Sequence, residues 1–256
     1  MPAGPFWRAL STARAAEDAL ALLDALGWDR GVALYSWSYG AQVGLELAAR
    51  APERVASCTF VGVTPTGFEM FLALTLGAPL NFLATMVGGL WRRAKAWAAL
   101  HRFFTPEWLR APAAGEASSG ESRMARLLRN TSAKNLTMDA AMSGRAARAQ
   151  EWAATTFRLT AEHAAAIRGA RVPITLVNGA RDFTAPLGGA VRLARRLGAP
   201  LLVLDARHAG LGVERCEELL EVLEHAVFGA AVATPAQRAA ARAAGEAAIM
   251  KSSFCF

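Results

Sequence analysis

Short apolar runs alternate with amphipathic stretches at both ends of the chain, and a long middle region breaks the alternation. After Ser11 or Thr12, either of which can cap a helix, Ala16, Leu20, Leu23 and Leu26 recur at helical spacing until Gly27. This spacing predicts a first helix. "GVALYS" (31–36) is too short for a helix and reads as a strand, and "YGAQVGLELAARAP" turns helical from Tyr39 and ends before Pro52. "VASCTFVGV" (55–63) reads as a second, buried strand. The pattern resumes with a strand in "VPITLVNGA" (172–180), a helix near 186–197, a strand in "PLLVLDA" (200–206) and an amphipathic helix over 213–227.

Strands that are apolar throughout, separated by helices, describe a mostly parallel sheet covered on both faces, so the expected class is α/β. Four domains or segments are expected. Residues 1–66 form the first part of the core, 67–168 an inserted helical subdomain, 169–228 the second part of the core, and 229–256 an Ala-rich tail. Residues 70–91, "MFLALTLGAPLNFLATMVGGLW", carry no charge and are long enough to span a bilayer. Gly77, Pro79, Asn81, Gly88 and Gly89 interrupt them, so a buried or pocket-lining pair of short helices is expected, with membrane contact left open as the alternative.

Composition narrows the classes further. With 54% hydrophobic residues the chain can bury a substantial core. The balance of 28 Lys and Arg against 21 Asp and Glu gives +7, but without a dense basic block this describes a solvated surface rather than a nucleic-acid-binding face. Cys58, Cys216 and Cys255 show no metal-ligand spacing, and their odd number argues against a disulfide framework. The N-terminus lacks the continuous apolar core of a signal peptide. A cytoplasmic location is expected, with organellar targeting left open.

Candidate chemistry lies at the carboxyl ends of the expected strands, where ligand sites of parallel sheets collect. Ser38, in "SWSYG", stands at a strand-to-helix junction; Asp182 follows the strand 172–178 and His208 the strand 200–205. Plainer roles stay open for each: a turn serine, a cap for the helix near Pro186, and a loop histidine. Asp205 is a rival acid, expected to end its strand and pair with Arg207. His101, His163 and His225 have no acid placed after a strand to partner them. Trp37, Tyr39, Phe68 and Phe71 are candidates for a substrate pocket, with core packing the alternative for the phenylalanines.

The stretches "ARAAEDALALLDALGWDRGVALYSWSYGAQVGLELAARAPERV", "VPITLVNGARDFTAP" and "RLARRLGAPLLVLDARHAGLGVE" resemble the lid-bearing, esterase-like α/β-hydrolases. The likeness covers most of residues 12–228 outside the insertion and includes the order Ser, Asp, His and the spacing from His208 to Glu214. It implies that Ser38 is the nucleophile, His208 the general base and Asp182 its partner, with the backbone N–H of Tyr39 donating to the oxyanion. It implies a helical lid in the insertion, a small apolar ester, thioester or amide as substrate, and no metal or cofactor. A serine at position 38 argues against epoxide hydrolases and dehalogenases of this fold, whose nucleophile is aspartate.

Two departures stand out: Ser36 replaces the first glycine of GxSxG, and Arg207 replaces the glycine common before the histidine. No HG pair occurs in the chain, although in the family that motif marks the loop giving the second oxyanion donor. The first third of a family domain is therefore expected to be absent, leaving about four core strands and an exposed edge on "GVALYS" suited to self-association. The alternative to a hydrolase is a non-catalytic remnant of the fold acting as a binding or interaction protein.

Overall fold

The computed structural model describes residues 10–69, 97, 100–113, 120–138 and 144–229. Helix α1 spans Thr12–Ala25, strand β1 Val32–Trp37, helix α2 Tyr39–Arg50 and strand β2 Val55–Val61. Helices α3 (Pro106–Arg110), α4 (Arg123–Met138), α5 (Gly144–Thr156) and α6 (Ala161–Gly169) occupy the connection to β3 (Ile174–Gly179). Helix α7 (Leu187–Leu197), strand β4 (Leu201–Leu204) and helix α8 (Cys216–Phe228) complete the order. The four strands form one parallel sheet in the order β1-β2-β3-β4. This is the expected α/β architecture.

Side chains alternate across the sheet because successive residues of a strand face opposite sides. Phe60 and Leu176 pack with Leu45 of α2, Ile167 of α6 and Leu193 of α7 on one face. Val61, Val177 and Leu204 pack with Leu211 and Leu219 of α8 on the other. Phe60, Leu45, Leu176 and Leu193 are fully buried, each stabilising the fold by roughly 1.5–3 kcal/mol relative to exposure. A third cluster joins Leu100, Phe104, Trp108, Leu109 and Leu127 to Val213, which seats the β2–β3 connection on the loop after β4.

Element boundaries differ from expectation where a local bond pattern overrides the apolar run. Ser11 caps α1 by accepting from Arg14 N at 3.1 Å, as its residue type suggests. Leu26, expected on the buried face, is 51% exposed because the helix ends at Ala25 and the chain turns away through Gly27 at φ 68°. β2 stops at Val61 rather than 63, since Gly62 adopts φ 59° and leaves the ladder. α8 starts at Cys216 rather than 213. The Gly210 carbonyl accepts from the N–H groups of Val213, Glu214 and Arg215, and this turn consumes the residues that the periodicity assigns to a helix.

Among the described residues β1 pairs with β2 alone, and Tyr35 on β1 is 46% exposed. None of the described helices is long and apolar enough to cross a membrane. The stretch 70–91, with Phe71, and the tail beyond Gly229 lie outside the described residues.

Candidate active site

Ser38 occupies the single residue between β1 and α2, at φ 53° and ψ −119°. Only one other described non-glycine residue, Arg171, has positive φ. A side-chain-bearing residue in this region costs energy, and such strain persists where the surroundings over-determine it. Here the surroundings are specific. Ser38 N donates to the Val61 carbonyl at 2.9 Å, and its own carbonyl accepts from Ala41 N and Gln42 N as α2 begins. As first residue of α2, Tyr39 has an N–H with no acceptor inside its own helix. Its side chain is half-buried, and that burial raises the hydroxyl above its ordinary pKa.

The serine at position 36 fits because of a glycine elsewhere. A Cβ on Gly44 would lie 2.7 Å from Ser36 Oγ and 2.8 Å from Phe60 Cε1, so α2 closes on β1 and β2 only at a residue without a side chain. At Gly40, the glycine of the SxSxG pattern, an added Cβ would meet nothing within 4 Å.

Asp182 and His208 come together. Asp182 Oδ2 and His208 Nδ1 are 2.7 Å apart, and each residue is 5% exposed. The other carboxylate oxygen, Oδ1, accepts from the backbone N–H groups of Thr184 at 2.7 Å and Ala185 at 2.8 Å. With both oxygens engaged the carboxylate is fixed, and its bond to Nδ1 assigns the proton there, which leaves Nε2 as the acceptor. The helix-capping role considered for Asp182 is not realised: α7 begins at Leu187 without a side-chain cap, and Oδ1 accepts from two loop residues ahead of it while Oδ2 faces the imidazole.

Three features that no sequence motif marks hold this pair. Asn178 is fully buried and its amide donates to the Ala185 carbonyl at 3.0 Å, closing the loop around Asp182. Ala180 N and Arg181 N donate to the Leu204 and Ala206 carbonyls, tying the acid loop to the strand before His208. At Gly62 an added Cβ would stand 2.8 Å from His208 Cε1 and 3.0 Å from Nδ1, so the imidazole rests against the bare backbone at the end of β2. Gly62 directly follows Val61, the residue that accepts from Ser38 N. Ser38, His208 and Asp182 therefore converge on the carboxyl end of β2.

Aromatic rings border the histidine. Trp37 meets it edge-on at a centroid distance of 6.5 Å, with room for its ring left by Gly212, and Phe103 lies at 6.2 Å. Trp37 thus lies beside His208, and so does Phe103, which was not a candidate. Phe68 is 59% exposed. Asp205 does not pair with Arg207: it bonds Arg181 at 2.7 Å, while the Arg207 guanidinium lies 5.1 Å over the Phe183 ring. The parallel pairing of β3 and β4 brings Arg181 of the neighbouring loop within reach of Asp205.

The segment after residue 100 is bonded to both loops. Arg102 Nε donates to Thr184 Oγ1 at 3.3 Å. Thr105 donates from its N–H at 2.7 Å and its hydroxyl at 2.5 Å to the two carboxylate oxygens of Glu214. Burial raises the Glu214 carboxyl above its ordinary range despite these bonds.

Known proteins share the fold. The sequence pattern described as alpha/beta hydrolase fold matches residues 2–214. A solved alpha/beta hydrolase enzyme from a Medee basin deep-sea metagenome library superposes with a TM-score of 0.61 at 18% identity, covering 88% of this chain and 74% of its own. The enol-lactonase from Burkholderia xenovorans gives 0.54 at 21% identity, with 82% and 70% covered. A structure from a study of carboxylesterases of Nitrososphaera gargenis gives 0.56 at 17%, with 84% and 70% covered. No curated protein matches in sequence.

Proposed function

The chain belongs to the alpha/beta hydrolase fold family, and we propose that it is a serine hydrolase that cleaves a small apolar ester, thioester or amide through an acyl-enzyme at Ser38. The observation that carries this reading is the convergence of the strained Ser38 turn with the buried His208–Asp182 pair on the end of β2. An ordinary turn would relieve the strain with glycine, and an ordinary loop histidine would not be buried against a fixed carboxylate.

In the proposed reaction Ser38 Oγ attacks the substrate carbonyl as its proton passes to His208 Nε2. Asp182 stabilises the imidazolium without taking the proton. The Tyr39 N–H donates to the oxyanion, a contribution worth about a hundredfold to a thousandfold in turnover where such donors have been removed. Collapse of the tetrahedral species breaks the bond to the leaving group, which takes the proton from His208. Water then adds to the acyl-serine with His208 as base, releasing the acid and restoring Ser38. The aromatic rings of Trp37 and Phe103 support an apolar substrate, and the helices between β2 and β3 serve as the lid over it. Esterases and a lactonase among proteins of like fold favour acyl transfer to water.

A fluorophosphonate probe tests the reading. It is expected to label Ser38 in the folded protein and to leave Ser38→Ala unlabelled; folded protein that resists the probe would count against a competent nucleophile.

One observation favours a second reading, in which the fold serves association rather than turnover. The β1 edge, with Tyr35 exposed, would pair with β1 of a second copy. Size-exclusion chromatography tests it: a monomer at all concentrations removes this reading.

A further inference from the structure

Besides Ser38, one described residue that carries a side chain has a positive φ: Arg171, at 56°. Every other described position of that kind is glycine. Arg171 follows the last turn of α6, where its N–H donates to the Arg168 carbonyl at 3.1 Å. Glycine is the usual residue where a helix ends in the left-handed region. The chain uses it at the end of the neighbouring helix, where Gly198 caps α7 at φ 65°. The same backbone conformation is thus met by glycine at one helix end and, at a cost in strain, by arginine at the other. Strain kept in this way points to a use for the side chain.

Arg171 and Gly198 line one groove of about 620 Å³, at the amino ends of β3 and β4. Sites for small molecules have volumes of roughly 300–1,000 Å³. Ile167, Ile174 and Leu197 are buried and give the groove an apolar floor, while Arg168 and Arg171 are exposed along it. One guanidinium N–H of Arg168 donates to the Arg196 carbonyl, which joins the ends of α6 and α7.

The charge at this end of the sheet is one-sided. Between His163 and Leu204 the only acid is Asp182, which lies at the other end of β3 and is bonded to His208. Arg168, Arg171 and Arg195 have no carboxylate partner among the described residues. Basic side chains at helix carboxyl ends have a plain role, since each end carries roughly half a negative charge. Arg168, Arg195 and Arg196, in the last turns of α6 and α7, fill it without strain. Arg171 adds a further charge beyond the helix.

We propose that this groove binds an aliphatic carboxylate, its chain on Ile167, Ile174 and Leu197 and its carboxylate on the guanidinium groups of Arg171 and Arg168. Guanidinium and carboxylate match as parallel N–H···O bonds. The helix ends at the groove present carbonyls, whereas phosphate sites draw on the N–H groups of helix amino ends, so a singly charged anion fits better than phosphate. β3 has six residues, which puts roughly 15–20 Å between the groove and the His208–Asp182 pair. The site is therefore independent of the serine-hydrolase reading.

Isothermal titration of the full chain with sodium octanoate tests it. Octanoate is expected to bind, and Arg171→Gly to weaken it by about tenfold or more, the scale of a lost charge-assisted hydrogen bond. The same variant relieves the left-handed strain, so its Tm without ligand is expected to rise by roughly 1–4 °C. Weaker binding by a more stable protein separates a ligand contact from a structural prop. Arg171→Asn, which also tolerates this conformation, is expected to weaken binding likewise. Acetate, which lacks the chain, and inorganic phosphate are expected not to displace octanoate at about ten times its concentration. Octanoate held only at the catalytic edge would keep its affinity in both variants. That result, no binding at all, a fall in the Tm of Arg171→Gly, or displacement by phosphate or acetate overturns the proposal. No readout uses turnover, so the outcome stands whatever the fluorophosphonate probe reports.

Discussion

Gly62→Ala tests whether the imidazole is seated by the absence of a side chain at the end of β2. Two costs are built into the substitution. Alanine at φ 59° enters the left-handed region, at about 1–2 kcal/mol. Its Cβ would also stand 2.8 Å from His208 Cε1 and 3.0 Å from Nδ1, whereas carbon atoms settle at roughly 3.5–4.0 Å. The ring must move by about half an ångström or more. Its 2.7 Å bond to Asp182 then lengthens or bends. Gly198→Ala separates the two costs, since Gly198 has φ 65° with nothing within 4 Å of an added Cβ. Both variants are expected to lose a few degrees of Tm from backbone strain, at about 2–4 °C per kcal/mol for a chain of this size. Only Gly62→Ala is expected to lose turnover as well, by up to about a hundredfold, the scale of a misplacement approaching 1 Å in a catalytic group. The assay is thermal unfolding beside steady-state hydrolysis of p-nitrophenyl acetate. If Gly62→Ala matches Gly198→Ala in kcat, the glycine does not seat the histidine and the reasoning fails.

Asp182→Asn keeps the shape but offers an amide in place of the carboxylate, which permits the wrong imidazole tautomer; kcat is expected to fall by about 10⁴ with the circular dichroism spectrum unchanged. Wild-type kcat in that variant would separate the pair from turnover. Gly44→Ala overpacks the α2 contact and is expected to cost about 1–3 kcal/mol in urea unfolding. Adding Ser36→Gly removes the neighbour at 2.7 Å and is expected to restore part of that loss, while Phe60 keeps the recovery incomplete; strictly additive effects would show that the two sites do not touch. For Glu214, burial raises the folded-state pKa, so the native chain holds this proton more tightly than the unfolded chain does. Its contribution to stability is therefore present at low pH and is lost as pH rises through the raised folded value. Urea midpoints measured across this window are expected to decline more in the wild type than in Glu214→Gln, and parallel declines would exclude the effect.

The elements, and the neighbourhood of Asp182 and His208, were legible in the sequence because both leave local signals. A strand apolar on both faces betrays a covered sheet, and a serine, an aspartate and a histidine each just beyond such a strand share its carboxyl edge. The ends of the elements were less legible. β2 ends where Gly62 takes a positive φ, and α8 is delayed by three N–H groups converging on the Gly210 carbonyl. Neither event alters hydrophobic periodicity. The pairing of Asp205 with Arg207 failed for a related reason. Residues close in sequence were weighed against each other, while Arg181 arrived from the adjacent loop through the parallel register of β3 and β4.

The supporting residues were hidden more deeply, because what they contribute is empty space or a long-range bond. Ser36 illustrates this. Read along the chain, it is a defect in GxSxG, and the remaining glycine of the pattern, Gly40, looks like the residue that matters. In space an added Cβ on Gly40 meets nothing, and the close approach falls on Gly44, one helical turn later, where α2 rests on Ser36 and Phe60 together. The requirement is that one of two facing positions be small; a glycine in the helix meets it, which frees the strand residue to be serine. A motif written along one segment cannot express a condition shared by two. The same holds for Gly62 with His208 and for Arg102 with Thr184, whose partners lie in other loops and become neighbours only after the sheet has formed.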